Sequence, residues 1–188
     1  RNQGTPELLA QKCAQLGLGC DIIPKVEVAG ITVSSTYIRR LVELGQISRA
    51  NRFLGHPHTL TGVVRHGRGL GSSRLFPTAN LTIPPHVLVP SHGVYVTRVI
   101  LDDGSPHPAV TNVGTRPTVQ NGPDITVEAC LLDFQGDLYG KQLRLEFYEH
   151  LRQEVRFDSL DALRAQIQSD ADATRTYFAD GVPTFPAL

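Results

Sequence analysis

Apolar and polar positions follow two patterns along the chain, with a change near residue 59. Over residues 5–16, Leu8, Leu9, Cys13 and Leu16 recur at helical spacing, with Thr5 as N-cap and Pro6 at the first helical position. Gly17 and Gly19 end that helix, and residues 20–23 form a brief apolar strand candidate closed by Pro24. Val26, Val28 and Ile31 suggest a further extended piece with Gly30 at a turn. Residues 36–44 predict a helix capped by Ser34 or Ser35 and closed by Gly45, and residues 48–54 a second short one. The following Gly55-His56-Pro57-His58 reads as a linker.

From Thr59 alternation takes over. It predicts strands over residues 59–65, 81–83, 93–101, 109–113, 126–133 and 142–148. Asp102-Asp103-Gly104 is a hairpin turn signal, and Gly136-Asp137-Leu138-Tyr139-Gly140 joins the last two strands. Six short strands separated by turns imply an antiparallel barrel or sandwich, and closure into a barrel removes exposed edges. Helical spacing returns over residues 160–178, capped by Ser159 or Asp158, with Leu163, Ile167 and Tyr177 near one stripe. Residues 181–188 carry two prolines and read as a tail.

Bulk composition narrows the function classes. The 188 residues suffice for one good domain, or one domain plus part of another. Lys+Arg and Asp+Glu balance at 18 each, which gives no electrostatic footprint for nucleic acid or an anionic membrane. No run approaches the roughly 18 apolar residues of a membrane span. Cys13, Cys20 and Cys130 are odd in number and lack CxxC spacing, the pattern of reduced thiols in a cytoplasmic protein. The seven histidines show no metal-ligand spacing. Met is absent even at position 1, so the chain is expected to begin inside a longer protein.

The candidate chemistry centres on residues 66–80, HGRGLGSSRLFPTAN. Gly67, Gly69 and Gly71 let backbone approach another molecule, and Arg68 and Arg74 favour phosphate. Thr78 and Asn80 project from one face of an extended segment and offer neutral oxygens of the kind Mg²⁺ accepts. The glycine half alone reads equally as a hairpin turn. Glu128 interrupts an apolar strand, so it is either solvated or placed as a general base for a hydroxyl. Arg116, in the polar strand end 112–118, either meets phosphate or caps a rim. Residues 151–157 are either a loop closing over a flat polar ligand or a charged connector. Ser34, Ser35, Thr36 and Arg39 gather at a helix N-terminus, either an anion site or an ordinary surface cap.

Taken in order, GRGLGSSRLFPTAN, GVY, NVGTRPT, VEACLLDFQGDLYGKQLRLEF and LRQEVRFDSLDALRAQIQSD resemble the riboflavin kinase domain, over about residues 60–178. They are most similar to the C-terminal half of the bacterial bifunctional riboflavin kinase/FAD synthetase. Upstream, NQGTPELL and VSSTYIRRLVELGQISRANRFLG resemble the end of its FMN adenylyltransferase domain. The resemblance implies a mainly β fold: a six-stranded antiparallel split barrel of Greek-key type with a C-terminal helix. An α/β fragment of a nucleotidyltransferase domain would precede it. The implied divisions are a remnant over 1–54, a linker over 55–58, the kinase over 59–180 and a tail. The implied reaction transfers the ATP γ-phosphoryl group to the ribityl 5′-hydroxyl of riboflavin, giving FMN and ADP.

Carried over residue by residue, the resemblance makes Thr78 and Asn80 the Mg²⁺ and phosphate contacts and Glu128 the catalytic glutamate. Leu131, Asp133 and Tyr139 become nucleotide-side positions. Arg152 becomes the flavin-side arginine, in a loop reaching Glu154, Val155 and Phe157. Two departures stand: Ser72 replaces a common basic residue, and Leu75 replaces a glycine. The adenylyltransferase motif of the HxGH kind is absent from the sequence, and Ser34, Ser35, Thr36 and Arg39 match only the second phosphate motif, SSTxIR. FAD synthesis is therefore not expected of this chain alone. The competing readings are a share in a bifunctional enzyme and a flavin-binding barrel without turnover. ATP and riboflavin are the expected small-molecule partners.

Overall fold

The computed structural model describes residues 4–65, 78–116 and 124–185. Contacts divide the chain into two compact units, Arg1–Val33 and Ser34–Leu188. In the first unit, helix α1 (Pro6–Gln15) begins at Thr5, whose hydroxyl accepts from the Leu8 N–H at 3.2 Å. A two-stranded hairpin follows, β1 (Glu27–Val28) and β2 (Ile31–Thr32), with Ala29 and Gly30 at φ 50° and 76° making its turn. The apolar run 20–23 forms no strand: among the described residues no strand pairs with it, and Ile22 and Ile23 are exposed.

The second unit opens with α2 (Ser35–Glu43), capped by Ser34, and α3 (Ile47–Leu54), which ends at Gly55 in the left-handed region. Both helices belong to the same compact unit as the strands, although the sequence reading divides the chain after residue 54. One polar tie is Asn51, fully buried on α3 beside the buried Ile47, Ala50 and Phe53. Its amide donates to the Phe147 carbonyl and its oxygen accepts from the His58 N–H, each at 2.8 Å.

The six remaining strands are β3 (His58–Arg65), β4 (Thr78–Thr82), β5 (Gly93–Ile100), β6 (Pro106–Arg116), β7 (Asp124–Leu131) and β8 (Gln142–Arg152). They close into an antiparallel barrel in the order β3-β4-β7-β6-β5-β8. β5, β6 and β7 meander, and β8 returns to lie beside β5, a Greek key. The prolines at 106 and 108 hide the start of β6 in the sequence, and the polar end of β8 hides its last four residues. Inside the barrel, Ala79, Ala129 and Thr111 lie in register with Tyr95. Three small side chains leave room for one large ring, which packs edge-on to Phe147 at 5.5 Å. Thr97 and Thr111 satisfy each other at 2.7 Å in this interior.

Helix α4 (Leu160–Ala179) is capped by Ser159 and lies on the outer face of β5 and β6. Its Ala171 packs with Val94, Val110 and Leu132, against which Cys130 and Leu151 also sit. Among the described residues, no helix is long and apolar enough to cross a membrane.

Removing the Asn51 amide orphans a buried carbonyl and a part-buried N–H at once. Asn51→Ala should lower stability by about 2–4 kcal/mol in urea unfolding, and a loss under about 1 kcal/mol would contradict this role.

Candidate active site

Antiparallel register assembles the site. Asn80 on β4 faces Glu128 on β7, and Glu128 faces Asn112 on β6. Asn112 in turn faces Val94 on β5, and Val94 faces Arg152 at the end of β8. The five positions make one row across five strands. Their neighbours two residues along, Thr78, Cys130 and Val110, make a second row on the same face. The alternating positions Ala79, Ala129 and Thr111 fill the barrel, so both rows lie on its outer surface. Two register shifts between β5 and β8 bend the end of β8 and set Arg152 opposite Val94.

A cavity of about 300 Å³ lies between this face, helix α4 and residues 153–157. Thr78, Asn112, Glu128 and Cys130 contribute from the strands, with Val94 and Val110 as an apolar floor. Leu163, Ile167 and Asp170 contribute from α4, and Arg152, Glu154, Val155 and Phe157 from the end of β8 and the loop. An apolar slot with a few convergent polar groups suits a flat organic ligand. Burial pushes the Cys130 thiol up to about 11, so it is a neutral wall near neutral pH.

Arg152 is held firmly. Its Nε and Nη2 donate to the two Asp170 oxygens at 3.0 and 2.7 Å, and Gln166 donates to Asp170 Oδ1 at 2.9 Å. Nη1 donates to the Gln153 carbonyl at 3.0 Å, and the guanidinium lies 5.9 Å from the Phe157 ring centre. The pair is largely desolvated, with the Arg152 side chain 24% exposed and that of Asp170 7%. One cation therefore ties α4 to both ends of the 153–157 loop.

Comparison with known proteins matches residues 54–178 to riboflavin kinase. The chain belongs to the riboflavin kinase family. It is 39% identical over 163 residues to the bifunctional riboflavin kinase/FMN adenylyltransferase of Pseudomonas fluorescens, covering 87% of this chain and 52% of that protein. Against the Escherichia coli K12 protein of the same name it is 40% identical over 149 residues, covering 79% and 47%. The chain thus spans about half the length of the curated relatives it matches. Among solved structures it is similar to a Streptococcus pneumoniae protein described as a macrolide-efflux protein. That match has a TM-score of 0.82 and 31% identity, covering 92% of this chain and 55% of that one.

As a riboflavin kinase family member, the chain brings Thr78, Glu128, Arg152, Glu154, Val155 and Phe157 to one cavity, with Asn80 in register beside Glu128. Other expected positions lie apart from it. The Leu131 side chain is fully buried, which leaves its backbone as the group at that position for outward contacts. Asp133 pairs with Arg175 of α4 at 3.0 Å, and that donation holds its carboxyl below the usual carboxylate range. Tyr139 is half exposed, in a turn whose Gly140 N–H bonds to Val64 at 3.0 Å, near the end of β3. Ser34 caps α2, while Ser35, Thr36 and Arg39 are exposed. Gly67, Arg68, Gly69, Gly71 and Arg74 fall outside the described residues, as do Ser72, Leu75 and the Arg116 side chain.

Asp170 and Asn112 are cavity residues that the motif reading misses. An acid beside Ile167 and Ala171, in the stripe that covers the barrel, is the signal that could have found Asp170. Asp170→Ala strips a part-buried guanidinium of its partner. It should cost about 2–4 kcal/mol in urea unfolding, and a loss under about 0.5 kcal/mol would show the pair to be inert.

Proposed function

We propose that this cavity is where the chain phosphorylates riboflavin, with ATP as donor and Glu128 as proton acceptor. The observation that carries the reading is the shared register: Glu128 stands opposite Asn80, two residues from Thr78, on the wall of a slot lined by Arg152, Glu154, Val155 and Phe157. The isoalloxazine ring lies among Val94, Val110, Leu163, Ile167 and Phe157, and the ribityl chain runs toward Glu128. ATP reaches the same point from the side of Thr78, the first residue of β4.

A primary alcohol is a weak nucleophile near neutral pH. Glu128 takes the 5′-hydroxyl proton as the oxygen–phosphorus bond forms and the bond to the β-phosphate oxygen breaks, leaving ADP. Thr78 and Asn80 offer a hydroxyl and an amide oxygen beside that carboxylate, a hard-oxygen set that fits Mg²⁺ when phosphate oxygens complete its shell. The ion, when bound, neutralises phosphate charge. Among the described residues no group of three His, Cys, Asp or Glu could hold a metal by itself, which suits a cation that arrives with the nucleotide. Loop 153–157 shields the transfer from water, the competing acceptor.

A second reading concerns the front of the chain. Relatives that are bifunctional and about twice as long favour residues 1–54 as the last part of an FMN adenylyltransferase domain, with Ser34, Ser35, Thr36 and Arg39 at its phosphate site.

Incubation with riboflavin and Mg-ATP should yield FMN, separated by chromatography; bound flavin with no FMN would favour a non-catalytic barrel. Glu128→Gln should leave ATP binding largely intact and lower turnover about 10²-fold or more, and an unchanged rate would remove Glu128 from the mechanism. Asn80→Ala should shift the Mg²⁺ dependence of the rate; a flat response would contradict its role at the metal and phosphates.

A further inference from the structure

We propose that Asn112 and Gly114 of β6 form a seat for the Glu154 carboxylate, and that this seat holds residues 153–157 closed over the barrel face beside Glu128. Its consequence for flavin rests on the kinase reading above; the seat itself does not. Asn112 Nδ2 donates to Glu154 Oε1 at 2.8 Å, joining positions 42 residues apart. Two residues along the same strand, a Cβ on Gly114 would stand 2.5 Å from that oxygen and 3.1 and 3.2 Å from Cδ and Oε2. The carboxylate therefore rests against bare backbone, and a Cβ there would make the end of the Glu154 side chain shift out of this position. The φ of Gly114 lies outside the left-handed region, so the strand needs no glycine for its conformation. What glycine supplies here is space.

Residues 153–156 are exposed, with Val155 54% exposed. At the root of the loop, the Arg152–Asp170 pair and the Gln153 carbonyl fix where the chain leaves β8. The tip needs a second anchor, and the seat provides it across the cavity from α4. Because Asn112 is also the register partner of Glu128, the tip is held next to the base. Asn112 and Gly114 are thus positioning residues: they touch the loop, and through Glu154 they set where Val155 and Phe157 close the slot.

Gly114→Ala places a methyl group where the carboxylate rests. Trypsin cleavage after the exposed Arg156, followed by mass spectrometry on the full chain, should then accelerate about tenfold over wild type. The KM for riboflavin should rise about fivefold or more, with the KM for ATP within about twofold. Glu154→Ala, at an exposed position, should reproduce both changes, and adding Gly114→Ala to it should change nothing further. Unchanged Arg156 cleavage in both single variants would overturn the seat, as would additive effects in the double variant. Proteolysis reads the loop without turnover. Absence of FMN from the wild type would sink the kinase reading and leave the seat standing; FMN formed with Arg156 cleavage unmoved would do the reverse.

Discussion

The register of the ladder through β4, β7, β6, β5 and β8 is the constraint on which the site depends. It sets Asn80, Glu128, Asn112, Val94 and Arg152 abreast, from segments up to 72 positions apart, since 152 − 80 = 72. A slip of one residue in β7 would turn Glu128 into the barrel and Ala129 out of it. The interior forbids that slip: Ala79, Ala129 and Thr111 leave the volume that Tyr95 fills, and a carboxylate there would be desolvated without a partner. Packing inside the barrel thus fixes chemistry outside it.

The outer face is made into a cavity by two further elements, each joined through charge. Helix α4 brings an apolar stripe down on the strands, and Asp170 in that stripe receives Arg152. A buried ion pair is a weak source of stability, because desolvation offsets much of the attraction. Its value here is direction. With Nε, Nη2 and Nη1 all engaged, Arg152 cannot swing, and the chain that follows it starts at a fixed angle over the slot. Glu154 then meets β6 on the far side. The slot keeps its floor from the barrel, one wall from the helix and a cover from the loop.

The barrel was largely readable from the sequence, because a half-buried strand alternates and the turns carry Gly and Asp. Strand ends that break this rule are hidden in the sequence. β6 starts with two prolines, β8 runs on through His150 and Arg152, and β4 begins earlier than its apolar residues suggest. Thr78, Glu128 and the 152–157 loop were recognisable because motif order marks them. Asp170 and Asn112 were not, since each matters through a partner many positions away that spacing does not reveal. At Leu131, carried over from the motif, the side chain is wholly buried, so a nucleotide-side role there would fall to its backbone. The packing of α3 with the strands likewise includes one buried amide, Asn51, that no periodicity announces.

The decisive measurement is a crystal structure of the chain with riboflavin and the magnesium complex of a non-hydrolysable ATP analogue. The ribityl 5′-oxygen should lie about 3 Å from the Glu128 carboxylate, with the terminal phosphate on the side of Thr78 and Asn80 and the ring against α4. A flavin bound elsewhere, or one whose 5′-oxygen faces away from Glu128 with the nucleotide in place, would contradict the assignment of this cavity.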